Sequence, residues 1–146
     1  MITAMQGRLW AKCGHGRRLQ RMRDLILIGY WASDSTPGWP DPRALVDLEW
    51  DADEQEAVAD YLESGLISRA YMGFSPCRIC GTDNGNLELS DLTYVWPSGL
   101  AHYVRDHGVR LPAEFVEHAT STQEAVEEAG RDESWWRGQG SDGGAR

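Results

Sequence analysis

Apolar positions along the chain predict one clear amphipathic helix, at about residues 52–64. Apolar side chains recur on one face of it, Asp51 stands at the N-cap position with Glu54 three residues on in a capping-box arrangement, and Gly65 follows the last turn. Before this helix, the apolar run 25–31 fits a buried strand or the start of a buried helix. Periodicity cannot separate the two in so short a run.

A β-hairpin is predicted in the middle of the chain. Residues 66–74 mix polar and apolar positions as a strand does, and 87–89 and 93–96 are two further strand candidates. Asn84-Gly85 is a strong tight-turn signal, because both residue types tolerate a positive φ.

Two helices are predicted after the hairpin. Ser98 is placed to cap the first, which extends to about His107 and ends at Gly108. Pro112 opens a short second helix that we expect to end near His118. Beyond it the composition turns to Glu and then to Gly, so we expect residues 120–146 to be an acidic, then glycine-rich tail that is largely disordered.

A basic N-terminal leader precedes an acidic body. Residues 1–23 carry six of the 14 Arg and Lys and no Asp or Glu, so residues 24–146 carry the other eight against 23 acidic residues, a net charge of −15. A body this acidic repels a phosphate backbone, which argues against nucleic acid as a partner except through the leader. We expect the leader to be disordered or outside the natural start, because the ordered pattern begins just after Met22. We place a single domain at 24–119.

The composition favours a cytoplasmic protein without a membrane segment. No apolar stretch approaches the ~20 residues that a membrane-spanning helix needs, and no signal-peptide pattern follows the basic start. Three Cys in 146 residues are too few for a disulfide scaffold. Two of them form a C-x-x-C motif, which is typical of metal sites as well as of redox pairs.

The strongest chemical signal is a set of two cysteines and two histidines with zinc-ligand spacing. Cys77 and Cys80 are separated by two residues and followed by Gly81, which permits the tight turn that aims both sulfurs into one site. His102 and His107 follow, giving C-x2-C-x21-H-x4-H. The histidine spacing lies within the range of zinc ligands, while the interval between the pairs is longer than in a minimal finger.

The helix that carries the two histidines must deviate from ideal geometry if both bind one ion. Five residues along an α-helix correspond to about 500°, which leaves the imidazoles of His102 and His107 about 140° apart. Both reach one ion only if the helix loosens at His107, and the following Gly108 allows this.

The motif and its predicted elements resemble the zinc fingers that use two cysteines and two histidines. The resemblance covers roughly residues 71–108: a knuckle, a β-hairpin and a helix with both histidines. Those fingers often read DNA from the helix surface, but residues 100–106 contain one basic side chain, so DNA reading is not implied here. The segments 87–91 and 94–104 also resemble an uncharacterised family of small bacterial proteins, which implies no activity.

Other residues give alternative chemistries. His118 is the main rival for the fourth ligand position. Glu88 and Asp91 are candidate general acids or bases if the protein is instead a small metal-dependent hydrolase or deaminase, although solvated hairpin carboxylates are the simpler interpretation. The H-x-E that supplies a deaminase with its proton-transferring Glu does not precede Cys77. Cys13 and His15 stand in the basic leader, and we interpret them as incidental.

Together these patterns predict an α+β fold: a zinc-stapled β-hairpin plus helix packed with additional short helices, the helix 52–64 and the segment 25–31. The predicted cofactor is one structural zinc ion at Cys77, Cys80, His102 and His107, and its removal is expected to unfold residues around 71–108. The predicted function is a protein-interaction module whose acidic surface binds a basic partner. Trp135-Trp136 is a second candidate contact for a partner, weighed against packing onto the protein's own core.

Overall fold

A computed structural model describes residues 23–140 and shows an α+β fold built on a four-stranded mixed sheet. The strand order is β1-β4-β3-β2. The outer strand β1 pairs in parallel with β4, and the other two pairings are antiparallel. The bounds of the strands are β1 Ile26–Leu27, β2 Leu66–Ala70, β3 Leu87–Ser90 and β4 Tyr94–Pro97.

Four α-helices and one 3-10 turn accompany the sheet in the described residues. The helix α1 packs against both α2 and α3. The chain shows no helix, among residues 23–140, that is long and apolar enough to cross a membrane. The bounds are Pro42–Leu45 for the 3-10 turn, α1 Ala52–Glu63, α2 Leu100–His107, α3 Ala113–Glu128 and α4 Ser134–Gln139.

The predicted helix at 52–64 is confirmed, with one change in the capping box. The Asp51 carboxylate accepts a hydrogen bond from the backbone N–H of Glu54 at 2.9 Å, as a cap residue should. The Glu54 carboxylate accepts from the indole N–H of Trp50 instead of from the Asp51 backbone. The absence of a side chain at Gly65 allows close packing, because a Cβ at this position would lie 2.7 Å from the Trp96 ring.

The strand and hairpin predictions are confirmed with changed bounds, because β3 is one residue longer than predicted and β4 is shifted by one residue. The strand β2 ends at Ala70 rather than near residue 74, and a bulge between Ile67 and Arg69 interrupts its pairing with β3. The run 25–31 contributes a strand of only two residues, Ile26–Leu27. Both are about half exposed at a sheet edge, so the expectation of a buried element was wrong there.

Two predictions about helix ends were wrong. Ser98 does not cap α2: its hydroxyl accepts from the Leu87 N–H at 3.2 Å, and Gly99 occupies the N-cap position. The helix α3 does not stop near His118 but continues for ten more residues, and the Gln123 side chain in this later part donates to the Ala57 carbonyl of α1.

The region expected to be a disordered tail from 120 onward therefore contains the second half of α3 and all of α4. The basic leader, with Cys13, His15 and Met22, and the glycine-rich end at 141–146 lie outside the described residues. The domain boundaries remain predictions.

The core lies between the sheet and helices α1, α2 and α3. Its largest fully buried side chains are Trp96 and Phe115, whose ring centroids are 6.0 Å apart in an edge-to-face arrangement. The Trp96 indole N–H donates to the Leu62 carbonyl at 2.9 Å, which satisfies the one polar atom of that buried ring. Leu100 and Val104 pack the inner face of α2 into the same core, so the helix that carries both histidines is held firmly.

Candidate metal centre

The four residues with zinc-ligand spacing come together in the structure. One donor atom of each of Cys77, Cys80, His102 and His107 lies within 4.8 Å of the other three. Cys77 Sγ is 3.5 Å from His107 Nε2, and Cys80 Sγ is 3.4 Å from His102 Nε2. The two Nε2 atoms are 3.2 Å apart. The sequence prediction that these four side chains converge is confirmed.

These separations match a tetrahedron around one zinc ion. Zinc binds thiolate sulfur at about 2.3 Å and imidazole nitrogen at about 2.0–2.1 Å. Tetrahedral angles then place two nitrogens about 3.3 Å apart, and a sulfur and a nitrogen about 3.6 Å apart. Three of the six separations, 3.2 Å between nitrogens and 3.4 and 3.5 Å between sulfur and nitrogen, differ from these values by about 0.2 Å at most, and the remaining three are within 4.8 Å. The arrangement can hold one metal ion with all four positions filled by protein.

The loop between Pro76 and Asp83 presents both sulfurs to this point. Pro76 and Asp83 form an isolated antiparallel bridge that closes the loop. Within it, the Cys77 N–H donates to the Thr82 carbonyl and the Gly81 N–H donates to the Cys77 carbonyl, both at 2.8 Å. Gly81 adopts φ +74°, a conformation that a residue with a Cβ rarely takes. The predicted tight turn after the second cysteine is confirmed.

Sulfur atoms at this site accept or share local hydrogen bonds, and for Cys80 these favour the thiolate, the form of cysteine that binds metal. The Ile79 N–H donates to Cys77 Sγ at 3.4 Å. Hydrogen bonds from the side chain and backbone of Thr82, followed by those from His102 and His107, lower the pKa of Cys80 to about 5. These hydrogen bonds therefore bias the Cys80 sulfur toward the form that a metal ion requires.

The last turn of α2 is wider than an α-helix, as the histidine spacing requires. The N–H groups of Gly108 and Val109 both donate to the Tyr103 carbonyl, five and six residues earlier, where an α-helix would use the carbonyl four residues earlier. Gly108 ends the helix with φ +63°. The expectation that the helix loosens at His107 is confirmed, and the loosening brings the imidazoles of His102 and His107 onto one side.

Asp106 orients one of the two imidazoles. Its carboxylate lies 2.5 Å from Nδ1 of His102, one turn earlier on α2. A hydrogen bond from Nδ1–H to a carboxylate fixes the tautomer and leaves Nε2 with a free lone pair. That Nε2 is the atom that faces Cys80 and His107.

Tyr103 joins the cysteine loop to the core, a role that no local pattern along the chain indicates. The buried Tyr103 hydroxyl accepts from the Arg78 N–H at 2.7 Å, in the middle of the C-x-x-C loop. Burial raises the pKa of Tyr103 to about 12, so the phenol stays neutral. The Arg78 guanidinium donates to the Ala32 carbonyl at 2.9 Å, which ties the loop to the segment after β1.

His118 is not part of the cluster. Its Nε2 lies 2.8 Å from the Asp91 carboxylate, whose same oxygen accepts from the Tyr61 hydroxyl at 2.7 Å. The other Asp91 oxygen accepts the backbone N–H groups of Thr93 and Tyr94 in the β3–β4 turn. Burial opposes ionisation of Asp91, but Tyr61 and these backbone donors outweigh it and lower its pKa. Asp91 and His118 therefore serve the packing of α3 on the sheet, and the alternative of His118 as fourth ligand is not supported.

Glu88 is buried, so its interpretation as a solvated hairpin residue was wrong. Its carboxylate accepts hydroxyl hydrogen bonds from Tyr30 at 2.7 Å and Ser68 at 2.8 Å, and from Tyr71 at 3.3 Å. Burial raises its pKa, but these donors and the nearby Arg69 outweigh that effect and leave the pKa below its ordinary value. Neither Glu88 nor Asp91 belongs to the group of residues that could hold the ion.

The tryptophan pair near the end of the described chain is exposed. Trp135 and Trp136 are 70% and 71% exposed and stack against each other with centroids 6.1 Å apart. The expectation that they pack onto the protein's own core was wrong for the described residues, and their role toward a partner stays a prediction.

Comparison of the chain with protein-family models, with curated proteins and with solved structures gave no match. The resemblance to a bacterial family therefore remains a prediction. The structure supports one part of this resemblance, the cluster of two cysteines and two histidines.

Proposed function

We propose that Cys77, Cys80, His102 and His107 bind one zinc ion and that this ion is structural. The observation that carries the proposal is the convergence of two sulfurs and two imidazole nitrogens within 4.8 Å of one another, with the two nitrogens 3.2 Å apart. Tetrahedral sites of this donor set favour zinc among the common metals, because thiolates select soft or borderline ions. Thiolate ligands also need a reducing compartment, which favours the cytoplasm.

A structural role is supported by the completeness of the donor set. A catalytic zinc ion keeps one position for water or substrate, whereas four protein ligands leave none. The enzyme alternative required an open position beside Glu88 or Asp91, and in the described structure both carboxylates are engaged in hydrogen bonds elsewhere. No observation favours a hydrolase or deaminase.

We further propose that the zinc-stabilised domain binds another protein. Two properties support this: the net charge of −15 for residues 24–146, which favours a basic surface on the partner, and the exposed apolar residues of β2 and the loop after it. Ile67 and Phe74 are 66% and 62% exposed there.

The metal content of the full-length protein tests the first proposal. We expect one zinc ion per chain by elemental analysis, and a cobalt-substituted form whose absorption spectrum has the intense visible bands of a tetrahedral thiolate site. Cys77→Ser should abolish both, and Cys13→Ser should retain both as the matched control. A purified wild-type protein that holds no zinc and binds cobalt no better than Cys77→Ser would overturn the proposal.

Affinity capture from nuclease-treated native cells tests the interaction proposal. We expect a protein that is retained by the wild type and shows salt-sensitive binding when both proteins are purified. A partner that is captured from untreated cells but not from nuclease-treated cells would instead favour the alternative of nucleic-acid binding through the leader.

A further inference from the structure

The wide last turn of α2 leaves two backbone carbonyls without their helical partners. In an α-helix the N–H of Gly108 would donate to the Val104 carbonyl, and the N–H of Val109 to the Arg105 carbonyl. Both N–H groups are used by Tyr103 instead. The carbonyls of Val104 and Arg105 therefore need other donors, because an unpaired carbonyl in a packed region is costly.

One side chain from another helix supplies both donors. The Gln55 amide nitrogen, on the half-buried face of α1, donates to the Val104 carbonyl at 2.7 Å and lies 3.2 Å from the Arg105 carbonyl. A primary amide carries two N–H groups, so it can serve one carbonyl with each. Gln55 thus pairs with the same two groups that the widening of the turn exposes.

We propose that Gln55 is a positioning residue for the metal centre. The proposal rests on the proposed zinc site. In regular α-helical geometry the imidazoles of His102 and His107 diverge by about 140°, whereas the wide turn brings their Nε2 atoms to 3.2 Å. Gln55 stabilises the wide turn relative to the regular one, because only the wide turn presents both carbonyls to its amide. It therefore holds His107 in the orientation that completes the tetrahedron.

A different contact between helices offers a matched control. The Gln123 amide nitrogen, on α3, donates to the Ala57 carbonyl of α1 at 3.1 Å. This is also a hydrogen bond from a glutamine amide to the backbone of a neighbouring helix, but it involves neither α2 nor the wide turn. Gln123→Leu removes a comparable side-chain donor while the environment of His107 stays unchanged.

The test measures zinc affinity of the full-length protein by competition with a chromophoric chelator, together with the cobalt spectrum. We expect Gln55→Leu to bind zinc about tenfold more weakly, equivalent to about 1.4 kcal/mol, and to show weakened tetrahedral cobalt bands. Gln123→Leu should stay within about twofold of the wild type. Gln55→Lys retains N–H donors and a charge suited to a helix C-terminus, so it should recover most of the affinity.

The outcomes separate this inference from the site itself. A wild-type protein that binds no zinc refutes the proposed site. A wild-type protein that binds zinc while Gln55→Leu matches it in affinity and cobalt spectrum refutes the role of Gln55 and leaves the site intact. If Gln55→Leu does not fold, Gln55→Lys decides alone: affinity near that of the wild type supports donation to the two carbonyls, and a tenfold loss overturns it.

Discussion

Removal of the metal ion should unfold the cysteine loop while the core stays folded. Among residues 75–85 only Cys77 is fully buried, so the loop contributes little apolar packing. The strand β4 and helix α2 behave differently, because Trp96, Leu100 and Val104 are completely buried in the core. The sequence predicts that residues around 71–108 unfold when the ion is removed, whereas the structure limits the expected unfolding to the loop 75–85.

The magnitudes support this division. Ordering the backbone of the eleven residues 75–85 costs about 11–22 kcal/mol, at roughly 1–2 kcal/mol each. Four backbone hydrogen bonds within the loop return about 4 kcal/mol, at about 1 kcal/mol each. These hydrogen bonds alone therefore leave most of the cost uncompensated. The apparent value of about 10–16 kcal/mol for a structural zinc site already includes the ordering of its ligands, so the ordered loop is stable only when the ion is bound.

Hydrogen exchange read by mass spectrometry, with and without a chelator, measures the effect. We expect the N–H groups of Cys77 and Gly81 to exchange far faster in the metal-free protein, while peptides from α1 and from residues 96–104 keep most of their protection. A chelator already saturated with zinc is the control. Unchanged protection of the loop after verified metal removal would refute the reasoning, as would equal loss of protection throughout 71–108.

Two further substitutions test parts of the fold away from the ion. Glu88→Gln should destabilise the protein by about 1–2 kcal/mol at pH 7, because a neutral amide replaces the charged carboxylate that accepts the Tyr30 and Ser68 hydroxyl hydrogen bonds. The pKa of Glu88 is lowered in the folded protein, so its ionised form stabilises the fold at any pH above the ordinary carboxyl pKa. In urea unfolding, the stability difference between wild type and variant should shrink as the pH falls through the pKa of Glu88 in the folded protein. A difference that stays constant with pH would contradict this. Gly65→Ala should cost about 1–3 kcal/mol in thermal unfolding, because the new methyl group would lie 2.7 Å from the Trp96 ring. Gly130→Ala, with nothing within 4 Å, is the control, and an equal loss of stability in both would contradict the packing argument.

Local signals explain which features the sequence could predict. The cap at Asp51, the turn at Gly81 and the helix end at Gly108 each depend on a few neighbouring residues, and all three were predicted correctly. The clustering of two cysteines and two histidines follows from their spacing in the sequence. The strain in the histidine helix was also predictable, since the angle between positions five residues apart is a property of the helix.

Features that depend on distant partners were not predictable. The burial of Glu88 requires the Tyr30 hydroxyl, 58 positions earlier, and the support of the wide turn requires Gln55, 49 positions before Val104. The helix α3 was predicted too short because its later turns are polar, whereas the structure anchors them to α1 through the Gln123 side chain. A polar composition such as that of these later turns is found in the solvated face of a helix as well as in a disordered segment, so composition alone could not separate the two.

The parallel pairing of β1 with β4 has a consequence for the order of folding. Ile26 lies opposite Tyr94, so 68 positions of chain must be brought into place before this edge can form. Closing so long a segment costs more entropy than closing the hairpin of β3 and β4, which needs only a short turn. Although β1 is the first strand of the described residues to leave a ribosome, it is thus expected to join the sheet last. Until then the main-chain carbonyls of Thr93 and Val95 that pair with it stay open to solvent.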